Sequence, residues 1–387
     1  MEHLWSGMRL PEITWHSSRY RNTKFSITYK KGKNFLLFDS GATDDRVMLF
    51  GTRKNLSVLQ HCKLWLVDGT FKTSPKLFYQ LYTIHGAYQG EIFPLVYALL
   101  PNKTAATYTC LFRELKALKP GLAPKVVLMD FKKAVMKAFN VSILVSFSCL
   151  YPPYSTKTIS FQQLEFPLSR QQGCFFHLCQ AIMRRINEIG LKIRYEKDSA
   201  FALRMRYLSA LAFVPVLEVV TTFDTILDAG IIPLEAEDVL EYFEDTWIGR
   251  PHRRGRRNPK FPLAMWNCYE SAAKSMPKTN NSVEGWHTSF EATLDRVHPN
   301  IFRFLKALHR EQNLIEATSE QVIAGNPLPK KKKYLDRAQR LQCLVARYHE
   351  FLDGDSTDDG NGNTKVPEET PILIYLRGIA HNITFAS

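Results

Sequence analysis

Paired cysteines are missing from this 387-residue chain. Its seven cysteines stand at 62, 110, 149, 174, 179, 268 and 343. An odd count with loose spacing argues against a disulfide framework and fits a reducing compartment. Long apolar runs are missing too. None reaches the ~18 residues that mark a membrane helix, so no membrane span is expected. The opening MEHLWSGMRLPEITW has no charged segment followed by an apolar stretch, and no signal peptide is expected. No Walker A, dinucleotide-binding or serine-elbow motif occurs, which leaves the corresponding enzyme classes without support. No internal repeat is visible. The expectation is a soluble, intracellular protein.

Negative charge is also short. Asp and Glu number 37 against 51 Lys and Arg, a formal net charge of +14. A basic excess favours a polyanionic partner, because Lys and Arg displace condensed counterions from phosphate. Hydrophobic residues make up 45% and charged residues 23%, an ordinary globular balance. The length allows two or three structural units.

Residues 1–60 form an N-terminal region with little pattern, although FLLFDSG (35–41) reads as a strand ending in a turn. LWLVDGTF (64–71) is a short apolar run closed by Asp68-Gly69. FYQLYTIHGAY (78–88) and IFPLVYALL (92–100) are rich in β-branched and aromatic residues, with Gln89-Gly90 as the turn between them. TAATYTCLFRELKALKPG (104–121) carries Leu111, Leu115 and Leu118 at helical spacing and stops at Pro-Gly. KVVLMDF (125–131) is a second buried strand ending on Asp130, followed by a short helix over 132–139. The order is three strands, helix, strand, helix.

Residues 141–162 break this style, with little charge and no period. GCFFHLCQAIMRRINEIG (173–190) reads as a short strand entering a helix, and 198–250 as helical. RPHRRGRRNPK (250–260) is a basic loop. TNNSVEGWHTSFEATLDRV (279–297) and 301–325 are helices. KKKK (330–333) precedes another helical stretch. DGDSTDDGNGNT (353–364) is an acidic linker, and 371–383 a terminal helix that docks back.

Two strands both end in Asp; on neighbouring strands their carboxylates would converge, and converging carboxylates repel unless a cation lies between them. An Asp-Gly pair alone is often only a turn. Glu284 has two local readings. Asn281-x-x-Glu284 has the spacing of a capping box, which needs no chemistry. Helical spacing also sets His287 and Thr288 beside Glu284, as a polar patch facing a metal would require.

VDGTF with Asp68, MDFKKA with Asp130, GCFFHLCQ with Cys174 and His177, and TNNSVEGWH with Glu284 occur in this order. The chain resembles the Mutator-like element (MULE) transposase domain family from about Phe35 onward. That resemblance implies an α/β fold, a ribonuclease H-like mixed sheet with an all-α insertion before the catalytic Glu helix. In such a sheet the first and fourth strands are neighbours. It implies a DDE triad of Asp68, Asp130 and Glu284 holding Mg²⁺ or Mn²⁺, and a family C-x-x-H element at Cys174 and His177. It also implies phosphodiester cleavage and strand transfer at transposon terminal inverted repeats and target DNA, in the nucleus and by a homo-oligomer. The alternative is a domesticated or decayed, catalytically inactive DNA-binding descendant. Cys174 and His177 make only half a zinc ligand set, and zinc is not expected there.

The expected organisation is therefore an N-terminal region (1–60), a first core segment (61–190), a helical insertion (191–275), the final core helices with Glu284 (276–326), and C-terminal helices with the acidic linker (327–387). Arg253, Arg254, Arg256 and Arg257 are the expected phosphate contacts, and KKKK fits phosphate contact or nuclear import. Solvated surface is the commoner explanation of any one charge run, and the loop near the Glu helix is the better candidate of the two for contact with DNA.

Three features depart from the resemblance. Lys132 stands where the family carries an acidic residue after its second Asp-Phe. Residues 141–162 lengthen the interval between Asp130 and Cys174. Their bounding codons can carry splice signals, so a translated intron is expected, to be decided by sequencing the transcript. The start of the chain offers no paired cysteine spacing for the family's N-terminal zinc-binding module.

Overall fold

The computed structural model describes residues 28–29, 33–139, 166, 169–253, 255–329, 332–353, 370–383 and 385. The 141–162 segment, Arg254, Lys330 and Lys331 and nearly all of the acidic linker lie outside the described residues. The chain divides into two compact units. The first comprises 1–171 with 281–328, and the second 172–280 with 329–387.

The first unit is built on a seven-stranded sheet. Its strands are β1 (Leu36–Asp39), β2 (Met48–Phe50), β3 (Leu64–Thr70), β4 (Gln80–Tyr88), β5 (Glu91–Leu100), β6 (Val126–Met129) and β7 (Arg170–Gly173). Their order across the sheet is β1-β2-β5-β4-β3-β6-β7. Five of them, β5-β4-β3-β6-β7, form the mixed sheet of a ribonuclease H-like α/β fold. β1 and β2 extend it on the β5 side. β2 has no signature in the sequence, because three apolar residues carry too little alternation to signal a strand.

The meander β3-β4-β5 forms where expected. Gln89 and Gly90 join β4 to β5 with φ of 50° and 80°, the left-handed pair that a two-residue hairpin needs. The register shifts between Ile84 and His85, opposite Val96 and Pro94. This bulge accommodates Pro94, which has no N–H for the ladder.

The crossover helix Ala105–Leu118 is started by Thr104, whose side chain accepts from the Thr107 N–H. Tyr108, Leu111, Phe112 and Leu115 are buried, whereas Leu118 is largely exposed. The crossover returns the chain so that β6 pairs with β3 in parallel, with Trp65 opposite Val127 and Leu66 opposite Leu128. The first and fourth core strands are thus neighbours, as the resemblance implies.

Two helices after residue 280 complete this unit, Asn281–Leu294 and Ile301–Ile323. A buried amide pair ties the second of them to the helix Arg53–His61. Asn55 Nδ2 donates to Gln312 Oε1 at 2.8 Å, and Gln312 Nε2 donates back to Asn55 Oδ1 at 3.1 Å.

The second unit is helical apart from a small hairpin, Pro251–His252 paired with Gly255–Arg256. The helix Phe175–Glu188 packs on the helices Ser199–Ala210 and Glu237–Phe243. That packing explains why the unit begins at 172, whereas the sequence pattern carries the first core segment on to 190. Trp266 donates from Nε1 to the Trp247 carbonyl at 3.2 Å, and Trp247 stacks on Phe261 at 5.0 Å between ring centres. The terminal helix Pro371–Asn382 docks as expected. Arg206 donates to the carbonyls of Ala380 and Ile383 at 3.2 and 3.3 Å, at the end of that helix.

Arg256 has a different place from the one its charge run suggests. Its guanidinium pairs with Asp224, with Glu244 at 2.7 Å, and with the Gly249 carbonyl at 2.8 Å. It is a latch for the hairpin. Arg256→Ala is expected to lower stability by about 2 kcal/mol, because it removes charge-assisted hydrogen bonds made by a largely buried group. Chemical denaturation measures this.

Candidate metal centre

Asp68 and Asp130 come together because of the strand register. Leu66 faces Leu128 across the parallel pair, and two residues further along each strand stand Asp68 and Asp130. Both carboxylates are buried. Glu284 lies in the first turn of the helix Asn281–Leu294, half-buried. One of its carboxylate oxygens lies within 4.8 Å of one from Asp68. All three expected carboxylates therefore belong to one unit; Glu284 stands beside Asp68, and Asp130 acts on Asp68 through its charge.

The helix begins at Asn281 itself, which sets Glu284 at the fourth helical position. A capping box would place it at the third, with Asn281 outside the helix as the cap.

The electrostatics are those of a crowded anionic pocket. Burial pushes the Asp68 carboxyl up to about 7. Lys132 opposes that rise, Asp130 and Glu284 add to it, and the Gly69 N–H bond opposes it. Burial also raises Glu284. A folded-state value above the unfolded one means that the folded protein holds the extra proton. The stability this proton provides is complete below about pH 4 and is lost as pH rises through about 7. The metal-free protein is therefore expected to unfold at progressively lower temperature between about pH 4 and 7, as calorimetry in EDTA would show.

Lys132 sits directly on Asp130. Its ammonium lies 2.5 Å from Asp130 Oδ2, and its backbone N–H donates to Oδ1 at 3.2 Å. The ammonium also stands 5.8 Å from the centre of the Phe71 ring. Burial pulls Lys132 down, but the carboxylates outweigh it and hold the ammonium above its usual value.

Residues that sequence pattern does not reach support the site from behind. Trp286 stacks on Phe290 at 4.9 Å and donates to Glu311 Oε2 at 3.3 Å. Its ring also meets His85 edge-on at 5.7 Å and Tyr97 at 5.5 Å. These contacts fix how the Glu284 helix is rotated against β4 and β5. Thr83 and His85 are on β4, and His287 on the Glu284 helix; burial pulls His287 down to about 4, helped by Lys132. The only local sign of this network is His287 three residues beyond Glu284.

Cys174 and His177 lie in the other unit. Cys174 is the cap residue of the helix Phe175–Glu188, and its Sγ accepts from the Asn280 N–H at 3.2 Å. His177 is in the first turn, its ring 5.8 Å from that of Phe176. Of the basic hairpin, Arg253 and Arg257 are exposed. Among the described residues no helix is long and apolar enough to cross a membrane.

Residues 64–150 match the sequence profile of the MULE transposase domain. This stretch is similar to the MULE transposase domain. The match covers β3 to β6 and both aspartates. It ends within the 141–162 segment, so it does not reach Glu284 or the C-x-x-H element. No curated protein matches the chain.

Asp68 and Glu284 bring carboxylate oxygens close enough together to suit a divalent cation. Their oxygens are hard donors, and burial of like charges leaves them short of positive charge. Lys132 supplies part of that charge already, on the Asp130 side.

Proposed function

We propose that this chain is a divalent-metal-dependent DNA transposase that cuts phosphodiesters at transposon ends and joins the freed 3′-hydroxyl to target DNA. The observation that carries this reading is the placement of Asp68 and Asp130 at the ends of adjacent parallel strands, with Glu284 beside Asp68. Asp68, Asp130 and Glu284 would hold Mg²⁺ or Mn²⁺. Bound there, the metal supplies an activated water and neutralises charge on the leaving oxygen. The protein's own residues fix the geometry. Gly69 N–H holds Asp68 Oδ1 at 2.7 Å, and Trp286 holds the helix that presents Glu284. Nuclear localisation and homo-oligomeric assembly belong to the same proposal.

The test is cleavage and strand transfer on duplexes ending in the inverted repeats that flank the gene, with Mg²⁺ or Mn²⁺. Activity in the wild type that is lost in Asp68→Asn supports the reading; equal activity in both removes Asp68 from catalysis. One observation favours a second reading, an inactive DNA-binding descendant. Lys132 engages both Asp130 oxygens. DNA binding without cleavage at any metal concentration would select it.

Arg253 and Arg257 are the exposed candidates for holding phosphate in the hairpin. Replacing both with Ala is expected to weaken DNA binding across all sequences. The slope of log K against log salt should fall by about 2, one unit for each phosphate no longer neutralised. Fluorescence anisotropy over a salt series reads this directly.

A further inference from the structure

The loop between β3 and β4, residues 71–79, has its polar side chains inside and its rings outside. Thr73 and Ser74 are fully buried, whereas Phe71 and Tyr79 are 38% and 44% exposed, and Leu77 is exposed as well. Buried hydroxyls with exposed rings reverse the usual preference of both. The backbone holds this arrangement. The Ser74 N–H donates to the Phe71 carbonyl at 3.2 Å, the Phe78 N–H to Pro75 at 2.8 Å, and the Tyr79 N–H to Leu100 at 2.9 Å. From the segment after the Glu284 helix, the His298 N–H donates to the Lys72 carbonyl at 2.8 Å. The two exposed rings meet edge to face, 5.2 Å between centres.

Cations frame this pair. Lys103 Nζ stands 5.6 Å from the centre of the Tyr79 ring, and Lys132 Nζ 5.8 Å from that of Phe71. Lys72 and Lys76 are exposed in the same loop, which contains no acidic residue. Glu291 lies 3.8 Å from Lys72, but both side chains are exposed and such a pair is weak. The Lys132 ammonium that faces Phe71 also touches Asp130, so this ring borders the candidate metal centre.

Flat aromatic faces among cations suit a nucleic-acid strand, whose bases stack on the rings while ammonium groups neutralise its phosphates. A base inside a duplex has both faces covered by its neighbours, so only an unpaired base can stack here. A second copy of the chain fits less well, because matching loops would press these lysines against one another.

We propose that Phe71 and Tyr79 form a stacking lip for an unpaired base of the DNA strand whose phosphodiester lies at the metal centre, with Lys103 as a phosphate contact. The position of that phosphodiester rests on the metal-centre reading above. The consequence is a preference for DNA that carries a single-stranded segment beside its duplex.

The test compares a blunt duplex with the same duplex bearing a short 3′ extension that contains one 2-aminopurine. Both are titrated with the full chain in EDTA, so that no strand is cut. The wild type should bind the extended duplex about tenfold more tightly and quench the 2-aminopurine by stacking. Phe71→Ala and Tyr79→Ala should each remove most of that preference and restore the fluorescence. Tyr79→Trp, which keeps a flat face, should retain both. Lys103→Ala should weaken binding of both duplexes and lower the salt slope by about one. Circular dichroism checks folding, and the exposed Tyr79 decides the matter if Phe71→Ala fails to fold. Equal affinity of the wild type for both duplexes, or a preference that survives both alanine variants, overturns the proposal. If Tyr79→Ala turns a dimer into a monomer and leaves the preference intact, the lip belongs to a second copy of the chain instead. Metal-dependent cleavage without any such preference removes the lip alone. Preference without cleavage at any metal concentration keeps the lip and removes the transposase reading.

Discussion

Asp68→Asn is expected to lower metal-dependent DNA cleavage about 1000-fold or more, while making the metal-free protein more stable. The two effects have one origin. Asn is nearly isosteric with Asp, and its side-chain oxygen can still accept from the Gly69 N–H, so the strand end should keep its shape. What disappears is a charge. A neutral amide is a poor ligand for a hard dication, and losing transition-state stabilisation of about 4 kcal/mol corresponds to that factor in rate. Without metal the same charge is a burden, because burial pushes the Asp68 carboxyl up to about 7. Above that pH the fold must hold an ionised group that prefers water. Asn removes this cost, and the melting temperature in EDTA at pH 8 should rise. Single-turnover cleavage and thermal unfolding, run on the same preparation, measure both. A variant that loses activity and melts lower would point to a structural role for Asp68 instead.

The second large effect is expected at Lys132. In Lys132→Glu, Mn²⁺ affinity should rise about 100-fold and metal-free stability should fall by about 2 kcal/mol. The ammonium lies 2.5 Å from Asp130 Oδ2 and already neutralises the carboxylate that a metal would need. Replacing it with an acid changes the local charge by two units. Each unit contributes about 1–2 kcal/mol at a separation of several ångströms in a partly solvated site. The stability cost is modest because the Lys132 side chain is 38% exposed, and water takes over part of the ion pair's role. Lys132→Met should fall between the two. Isothermal titration with Mn²⁺ ranks the three proteins. Weaker binding in Lys132→Glu would mean that the ammonium orients Asp130 and does not compete for it. Cleavage that appears only in the Glu variant would identify this one substitution as what silences the chain.

The parts of this site differ in how far the chain announces them. Asp68 and Asp130 are legible because each ends a short apolar run, and such runs are buried strands. Their adjacency is a property of the crossover, and it enters only with the resemblance. Glu284 is legible by resemblance alone, because its local spacing suits a helix cap as well as a metal-facing side chain. Thr83, His85 and Trp286 are out of reach of any local pattern. Thr83 and His85 meet His287 through strand register and helix rotation, across about 200 residues of chain, and no local period encodes that. The latch at Arg256 shows the reverse problem. A run of arginines records charge but not partners, and Asp224 and Glu244 that claim Arg256 are far from it in the pattern. β2 is too short to register, although every residue in it is buried.

The buried amide pair between Asn55 and Gln312 bears on how the protein is made. Those residues are separated by 257 positions. The sheet and both aspartates leave the ribosome long before the helices that carry Glu284 and Gln312. Roughly 150 residues separate Asp130 from Glu284, about 10–30 s of synthesis. During that interval the nascent sheet has its two buried acids but neither its third carboxylate nor the helix that covers Asn55. If the proposed centre cuts DNA, a nascent chain that ends before Glu284 should not, because it lacks the third carboxylate.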